Sequence, residues 1–235
     1  MTPNALLILL IFLSVDAIAL LVLLIFHIKK ELRHQKIRHY GDRAEEIVKE
    51  YVQREFPGAV LINNLFLKTE HATTQLDHVL LCKWGVFVLE TKSHNGKINT
   101  EGREWVQIHG EKVVRFHSPL IQNETHRKAL VRVLQKSRRF RNLPVTGLVI
   151  FTSRRVSFSK KQEGVLRLSE LAPYVKSGGQ YQIKKRGPIT AKPGGTYLSK
   201  EKIEALEKLI RRSRVRSRSR KRDHEKKVRR FYRDV

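Results

Sequence analysis

The chain is poor in the residues that would make several functions available. One cysteine in 235 residues, Cys82, excludes a disulfide framework and a thiolate zinc site. Its place inside an apolar run marks it as a core residue and suits a reducing compartment. Ten histidines are scattered without metal-ligand spacing. No glycine-rich phosphate loop, no Ser/His/Asp set and no zinc motif occurs. Acidic residues are scarce too: 22 Asp and Glu against 48 Lys and Arg leave a formal net charge of +26. That excess exceeds what solubility needs and implies a polyanionic partner, either nucleic acid or an anionic lipid surface.

What is present begins with an apolar run, Ala5 to Phe26, interrupted only by Ser14 and Asp16. As a helix it would be roughly 33 Å long, enough for a hydrocarbon core of ~30 Å. Ala17-Ile18-Ala19 resembles a signal-peptidase site, but no basic residue precedes the run and apolar residues continue beyond Ala19. The segment reads as an uncleaved anchor, with Asp16 costing about 3 kcal/mol at mid-bilayer. Lys29, Lys30, Arg33, Lys36 and Arg38 follow it, which predicts a single-pass cell-membrane protein with the bulk of the chain cytoplasmic. The sequon at Asn123-Glu124-Thr125 then has no meaning.

The expected domains are an anchor over 1–28, a basic juxtamembrane linker over 29–40, and a folded core domain over 41–153. An irregular extension, 154–198, and an amphipathic helix with basic tail, 199–235, complete the chain. Gly41 to Phe56 carries Ala44, Ile47, Val48, Tyr51, Val52 and Phe56 at helical spacing, and Pro57-Gly58 ends it. Glu45 borders that apolar stripe, whereas Glu46 falls on the wet side. A strand over Ala59–Leu67 leads into a polar loop. Further strands are predicted at Lys97–Asn99, Trp105–His109, Val113–Phe116 and Val145–Phe151. Between the last two lies a helix, Leu120–Phe140, with Pro119 suited to its first turn and Gln122 and His126 on one side. His126 is expected on the helix surface. Val165–Leu168 reads as an edge strand, Leu171–Val175 as a short helix, and Ser199 as the cap of a last helix. Helix, three strands, smaller strands, helix, strand makes a mixed α/β core.

The chemistry concentrates in Gln75–Ser93, QLDHVLLCKWGVFVLETKS. Val79–Cys82 and Val86–Leu89 form a predicted antiparallel hairpin about Trp84-Gly85. With that turn Asp77 stands opposite Lys92, Val79 stands opposite Glu90, and Asp77, Glu90 and Lys92 share one face. His78 points to the other. Buried charges persist when paired or when they hold metal, so the trio reads either as a structural ion pair or as a site. Asp, then Glu-x-Lys, is the minimum set for metal-dependent phosphodiester hydrolysis, and hard oxygen ligands suit Mg²⁺ or Mn²⁺. From Arg211 onward 13 of 25 residues are basic and 3 acidic. Arg211, Arg212, Arg214, Arg216, Arg218, Arg220, Lys221 and Arg222 are the candidate contacts to nucleic acid or anionic lipid.

Four segments carry a family resemblance: Gly41-Asp42-Arg43-Ala44-Glu45, Leu76-Asp77-His78, Gly85–Lys92, and Ser118-Pro119-Leu120-Ile121-Gln122. In order and spacing the stretch from about Arg38 to Phe151 resembles the NERD (nuclease-related) domain of the PD-(D/E)xK nuclease superfamily. The resemblance implies a restriction-endonuclease-like αβββαβ core. It also implies Asp77 and Glu90 as metal ligands, Lys92 as catalytic lysine, Glu45 as a supporting acid and Gln122 as a polar contact. Leu76 replaces the proline that precedes the acid in many superfamily members. The expected function is metal-dependent cleavage of DNA or RNA by a membrane-anchored protein; the alternative is a non-catalytic nucleic-acid-binding or membrane-tethering module on the same fold.

Overall fold

The computed structural model describes residues 3–70, 72–177 and 197–215, and for residues 3–17 and 37 the backbone alone. The chain divides into two compact units, residues 1–43 and 44–235. Helix α1, Pro3–Glu55, contributes to both. The basic segment 29–40, expected as a linker, is helical throughout, as its content of Lys, Arg, Leu, Gln and Glu favours. Gly41 does not interrupt the helix, and a Cβ built there would meet nothing within 4 Å. Among the described residues no helix is long and apolar enough to cross a membrane. The side chains of residues 5–17, more than half of the run expected as an anchor, lie outside the described residues.

In the second unit α1 ends as predicted. Pro57 follows, and Gly58 at φ +79° turns the chain into β1, Val60–Lys68. Strands β2 (Thr73–Cys82) and β3 (Gly85–Lys92) form the hairpin. Three further strands follow: β4 (Gly96–Asn99), β5 (Glu104–His109) and β6 (Lys112–His117). Helix α2, Pro119–Gln135, leads to β7, Val145–Phe151. The remaining elements are β8 (Val156–Phe158), β9 (Val165–Arg167), α3 (Leu168–Lys176) and α4 (Lys200–Arg212).

The strands make two sheets. One has five strands in the order β1-β2-β3-β7-β9, and the other four in the order β6-β5-β4-β8. In the larger sheet β1, β2 and β3 are antiparallel, whereas β3–β7 and β7–β9 are parallel. With the small strands set aside, α1, β1, β2, β3, α2 and β7 give the predicted helix–three strands–helix–strand order.

Both faces of the larger sheet are covered, which is why its central strands read as nearly continuous apolar runs. On one face Val79, Leu81, Val86 and Val88 pack with Ala129, Leu130, Val133 and Leu134 of α2. Ile203, Leu206 and Ile210 of α4 join the same cluster. On the other face Leu80, Cys82, Phe87 and Leu89 meet Val48, Val52 and Phe56 of α1, with Leu171 and Val175 of α3. Cys82 is buried, as its apolar setting predicts, and burial pushes its thiol up to about 11. A third cluster joins Ile98 and Trp105 of the smaller sheet to Val149 and Phe151 of β7. Helix α4, expected as the start of a tail, therefore belongs to the core of this unit. Ser199 caps it, its side chain accepting from the Lys202 N–H at 3.4 Å.

Candidate active site

The hairpin turn is Lys83-Trp84, one residue earlier than expected, because Gly85 pairs with Cys82 inside the ladder. Gly85 has φ +138°, a backbone state that glycine alone takes at little cost, and so opens β3 rather than lying in the loop. The pairing His78↔Leu89 puts Asp77 across from Glu90, not from Lys92. Moving the turn by one residue shifts the pairing by two positions, and a strand repeats every two residues. Asp77, Glu90 and Lys92 therefore keep a common face, the one covered by α2.

Glu90 is 1% exposed. Lys92 Nζ donates to Glu90 Oε1 at 2.6 Å and to Gln122 Oε1 of α2 at 3.2 Å. The other oxygen, Glu90 Oε2, lies 3.1 Å from Nδ1 of His126, although neither atom has an aligned hydrogen-bond partner. Burial pushes the Glu90 carboxyl up, but the Lys92 ammonium and His126 outweigh it and hold the group below the usual carboxylate range. Asp77 is half-buried and accepts the Thr91 N–H on Oδ2 at 2.9 Å. Its carboxyl is raised well above the usual range by burial and by the Glu90 charge, with Glu45 adding in the same sense. The two facing carboxyl groups are thus driven in opposite directions, Glu90 down and Asp77 up, as expected when like charges share a site.

Glu45 is half-buried on α1 and acts electrostatically on Asp77, while Glu46 is exposed and pairs with Lys49 at 2.7 Å. The structure therefore gathers Asp77, Glu90, Lys92, Glu45 and Gln122 around one end of the hairpin. His78 is directed to the opposite face, where its Nδ1 lies 2.8 Å from Asn63 Oδ1. Across β1 the residue level with Asp77 is Asn64, which adopts φ +51° between the regular pairs Asn63↔His78 and Leu65↔Leu76. Its Oδ1 accepts from Gln75 Nε2 at 2.7 Å. Asn tolerates this left-handed state better than most residues.

His126 corrects the expectation of a helix-surface residue: it is 4% exposed and faces Glu90. The signal was present in the spacing, because 126 precedes Ala129 and Leu130 by three and four residues and so continues their buried stripe. Asn123 was also missed. It is buried, and its Nδ2 donates to the Val88 carbonyl at 3.3 Å, seating α2 on β3. Gly147 of β7 makes room for it, since a Cβ there would stand 3.0 Å from Asn123 Nδ2.

Of the tail residues, Arg211 pairs with Glu207 at 2.7 Å, and Arg212 and Arg214 are exposed. Arg216, Arg218, Arg220, Lys221 and Arg222 lie outside the described residues. Val215 is held to the edge of the larger sheet, its N–H donating to the Phe66 carbonyl at 2.9 Å.

A helix that delivers Gln122 and His126 to a Glu-x-Lys strand, with an Asp on the neighbouring strand, is the arrangement against which known proteins can be compared. Residues 40–152 match the nuclease-related domain, NERD. The match begins within α1 and ends one residue beyond β7, so it takes in every one of the gathered residues. The chain is also similar to an uncharacterized protein of Bacillus anthracis, with 29% identity over 174 residues, covering 71% of this chain and 78% of the relative. Among solved structures it is similar to SfsA of Pyrococcus furiosus in complex with Ca²⁺. That likeness has 16% identity, a TM-score of 0.28, and coverage of 61% of this chain and 52% of the other.

As a place for a hard cation, the nuclease-related domain offers two facing carboxyl groups. Glu90 Oε2 is buried without a hydrogen-bond partner, and Asp77 is half accessible. Among the described residues no group of three or more His, Cys, Asp and Glu side chains is set to hold a metal. A pair of carboxylates suits Mg²⁺, which keeps several of its waters, better than a cation requiring a full protein cage.

Proposed function

We propose that the nuclease-related domain hydrolyses phosphodiester bonds of DNA or RNA with Mg²⁺ or Mn²⁺, using a site of the PD-(D/E)xK type. The observation that carries this is the Lys92 ammonium, held between Glu90 Oε1 and Gln122 Oε1, with Asp77 across the strand from Glu90. Gln122, brought by α2, gives the ammonium a second acceptor and so holds it at a defined place beside the two carboxyl groups. Asp77 and Glu90 would hold the cation, with Glu45 as a supporting acid. When bound, the ion would lower the pKa of a water and neutralise charge growing on the phosphate. Lys92 supplies a fixed positive charge beside the reacting phosphate, and Gln122 keeps its ammonium from folding entirely onto Glu90. In the reaction a water oxygen bonds to phosphorus, one phosphorus–oxygen ester bond breaks, and the leaving oxygen takes up a proton.

Glu90→Ala and Lys92→Ala should each lower metal-dependent cleavage of single- or double-stranded substrates by about 10²-fold or more. Purified wild-type protein that cuts neither DNA nor RNA with Mg²⁺ or Mn²⁺ would remove this reading. A second reading is favoured by the small number of metal-binding side chains: a non-catalytic module that holds nucleic acid by charge. Binding that falls steeply with salt and is indifferent to Glu90→Ala would support it.

The remaining parts of the proposal rest on the sequence. Residues 5–26 anchor the chain in the cell membrane as a single span with the domain on the cytoplasmic side, and the arginine-rich tail contacts nucleic acid or anionic headgroups.

A further inference from the structure

Among the described residues, the strongest charge feature outside the candidate site lies at the other end of the larger sheet. There the hairpin turn contributes Lys83, and the segment after α2 contributes Lys136, Arg138, Arg139 and Arg141, all exposed. Lys200, also exposed, begins α4 beside them. Two contacts hold these segments together. The Leu198 N–H donates to the Lys83 carbonyl at 2.9 Å. Phe140 is buried in one cluster with Leu198 and Ile203. Arg139 is close enough to Glu201 to act on its carboxylate. Among the described residues none of the six cations forms an ion pair within 4 Å.

Exposed apolar side chains, which a membrane-inserting surface needs, are scarce at this end: Phe140 is buried, Trp84 is half-buried beneath Lys83, and Tyr197 is 53% exposed. Cations around one exposed aromatic ring fit the backbone and bases of a single nucleic-acid strand instead. From Gln122 to Lys136 the helix spans roughly 20 Å, and from Lys92 to Lys83 the strand spans about 30 Å.

We propose that Lys83, Lys136, Arg138, Arg139, Arg141 and Lys200 form a docking surface for the phosphates of a single-stranded nucleic acid, distinct from both the candidate site and the arginine-rich tail. The inference rests on the reading that the domain acts on nucleic acid. It adds that the strand is gripped several nucleotides away from the site, so a strand too short to reach both should bind weakly.

The test uses the full-length protein in neutral detergent and a fluorescently labelled 30-nucleotide single strand, with EDTA present so that binding is read without cleavage. Arg138→Glu/Arg139→Glu/Arg141→Glu should weaken binding at least about tenfold and flatten the log–log salt dependence by about 2. The milder pair Arg138→Gln/Arg141→Gln should flatten it by about 1.4. Thermal melting checks that each variant is folded. Unchanged affinity and slope in folded variants would overturn the surface. So would loss of binding to phosphatidylserine vesicles with oligonucleotide binding intact, which would assign the patch to lipid. Abolition of oligonucleotide binding by Arg216→Ala/Arg218→Ala/Arg220→Ala alone would also overturn it, assigning the binding to the tail.

Cleavage by the wild type is scored separately, so the two readings fail independently. A binding loss in the triple variant without any wild-type cleavage leaves the docking surface standing and removes the hydrolase. Cleavage with undiminished binding in the triple variant does the reverse.

Discussion

At the scale of single residues, the ionisation of buried histidines gives the nuclease-related domain an acid limit. His94 stacks on Phe116 with ring centroids 4.1 Å apart, and its Nδ1 is buried without a hydrogen-bond partner. Burial, with the Lys92 charge second, pushes its pKa down to about 4, and burial does the same for His78. An unfolded histidine titrates near 6.5. The unfolded chain therefore binds more protons between those values, and each ring's contribution to stability is lost as pH falls from about 6.5 to 4. Asp77 works in the opposite sense, because its raised carboxyl favours the folded state as pH falls. The histidine contribution is therefore read as a difference. Urea unfolding at pH 7 and pH 4.5 should show His94→Phe losing less stability than wild type, by about 2 kcal/mol. Equal losses would mean that His94 titrates normally in the folded state.

The same scale shows why most of the candidate site was legible and why His126 and Asn123 were not. Asp77, Glu90 and Lys92 were placed on a common face despite a misplaced turn, because the period of two survives a shift of the turn by one residue. Their pairing was wrong for the same reason that their face was right. His126 was assigned to the surface because it is polar, although its spacing puts it on the buried stripe. A histidine beside a buried carboxylate obeys the stripe rather than its own polarity. The left-handed Asn64 leaves no pattern in sequence, since Asn occurs in both regular and left-handed positions.

At the scale of elements, the distance between α2 and the sheet decides whether the site exists. Asn123 holds the helix by the Val88 carbonyl, and the position across from Val88 on β7 is Gly147. Gly147→Ala would bring a methyl group to 3.0 Å from the Asn123 amide. The Asn123 amide, and with it the hydrogen bond that seats α2, has to give by a few tenths of an ångström, one turn or less from Gln122 and His126. The expected result is a small stability loss, about 1 kcal/mol, with a disproportionate loss of cleavage, measured as a fall in kcat. Gly147→Ala with unaltered kcat would show that α2 tolerates the shift. Strands β4, β5 and β6 of the smaller sheet were legible one by one from their alternation, whereas β8 falls where an irregular extension was expected. The assembly of the sheet was not legible: β8 joins β4 in parallel from the far side of α2 and β7, and no local pattern encodes a partner that distant.

At the scale of the molecule, the match to the nuclease-related domain ends at residue 152, but the hydrophobic core does not. Leu166, Leu171 and Val175 complete one face of the sheet, and Ile203, Leu206 and Ile210 complete the other. Each fully buried aliphatic side chain contributes roughly 1.5–3 kcal/mol, so losing three on each face removes more than an ordinary domain can spare. A fragment of residues 40–152 should not fold cooperatively, whereas 40–215 should; circular dichroism melting distinguishes them, and a sharp transition in the shorter fragment would refute this. The amphipathic stripe of α4 was legible, but periodicity gives a face and not its partner. A basic run beginning at Arg211 made the helix look like part of a tail.

Gly147 carries one more implication. The volume that brings helix and strand together is a volume left unfilled, so the site depends on a carbon atom that is missing. Such dependence escapes any inventory of functional groups, because the residue has no side chain to donate, bind or align. A methyl group at this position would press on the seat of α2 while leaving Asp77, Glu90, Lys92 and Gln122 unchanged in the sequence.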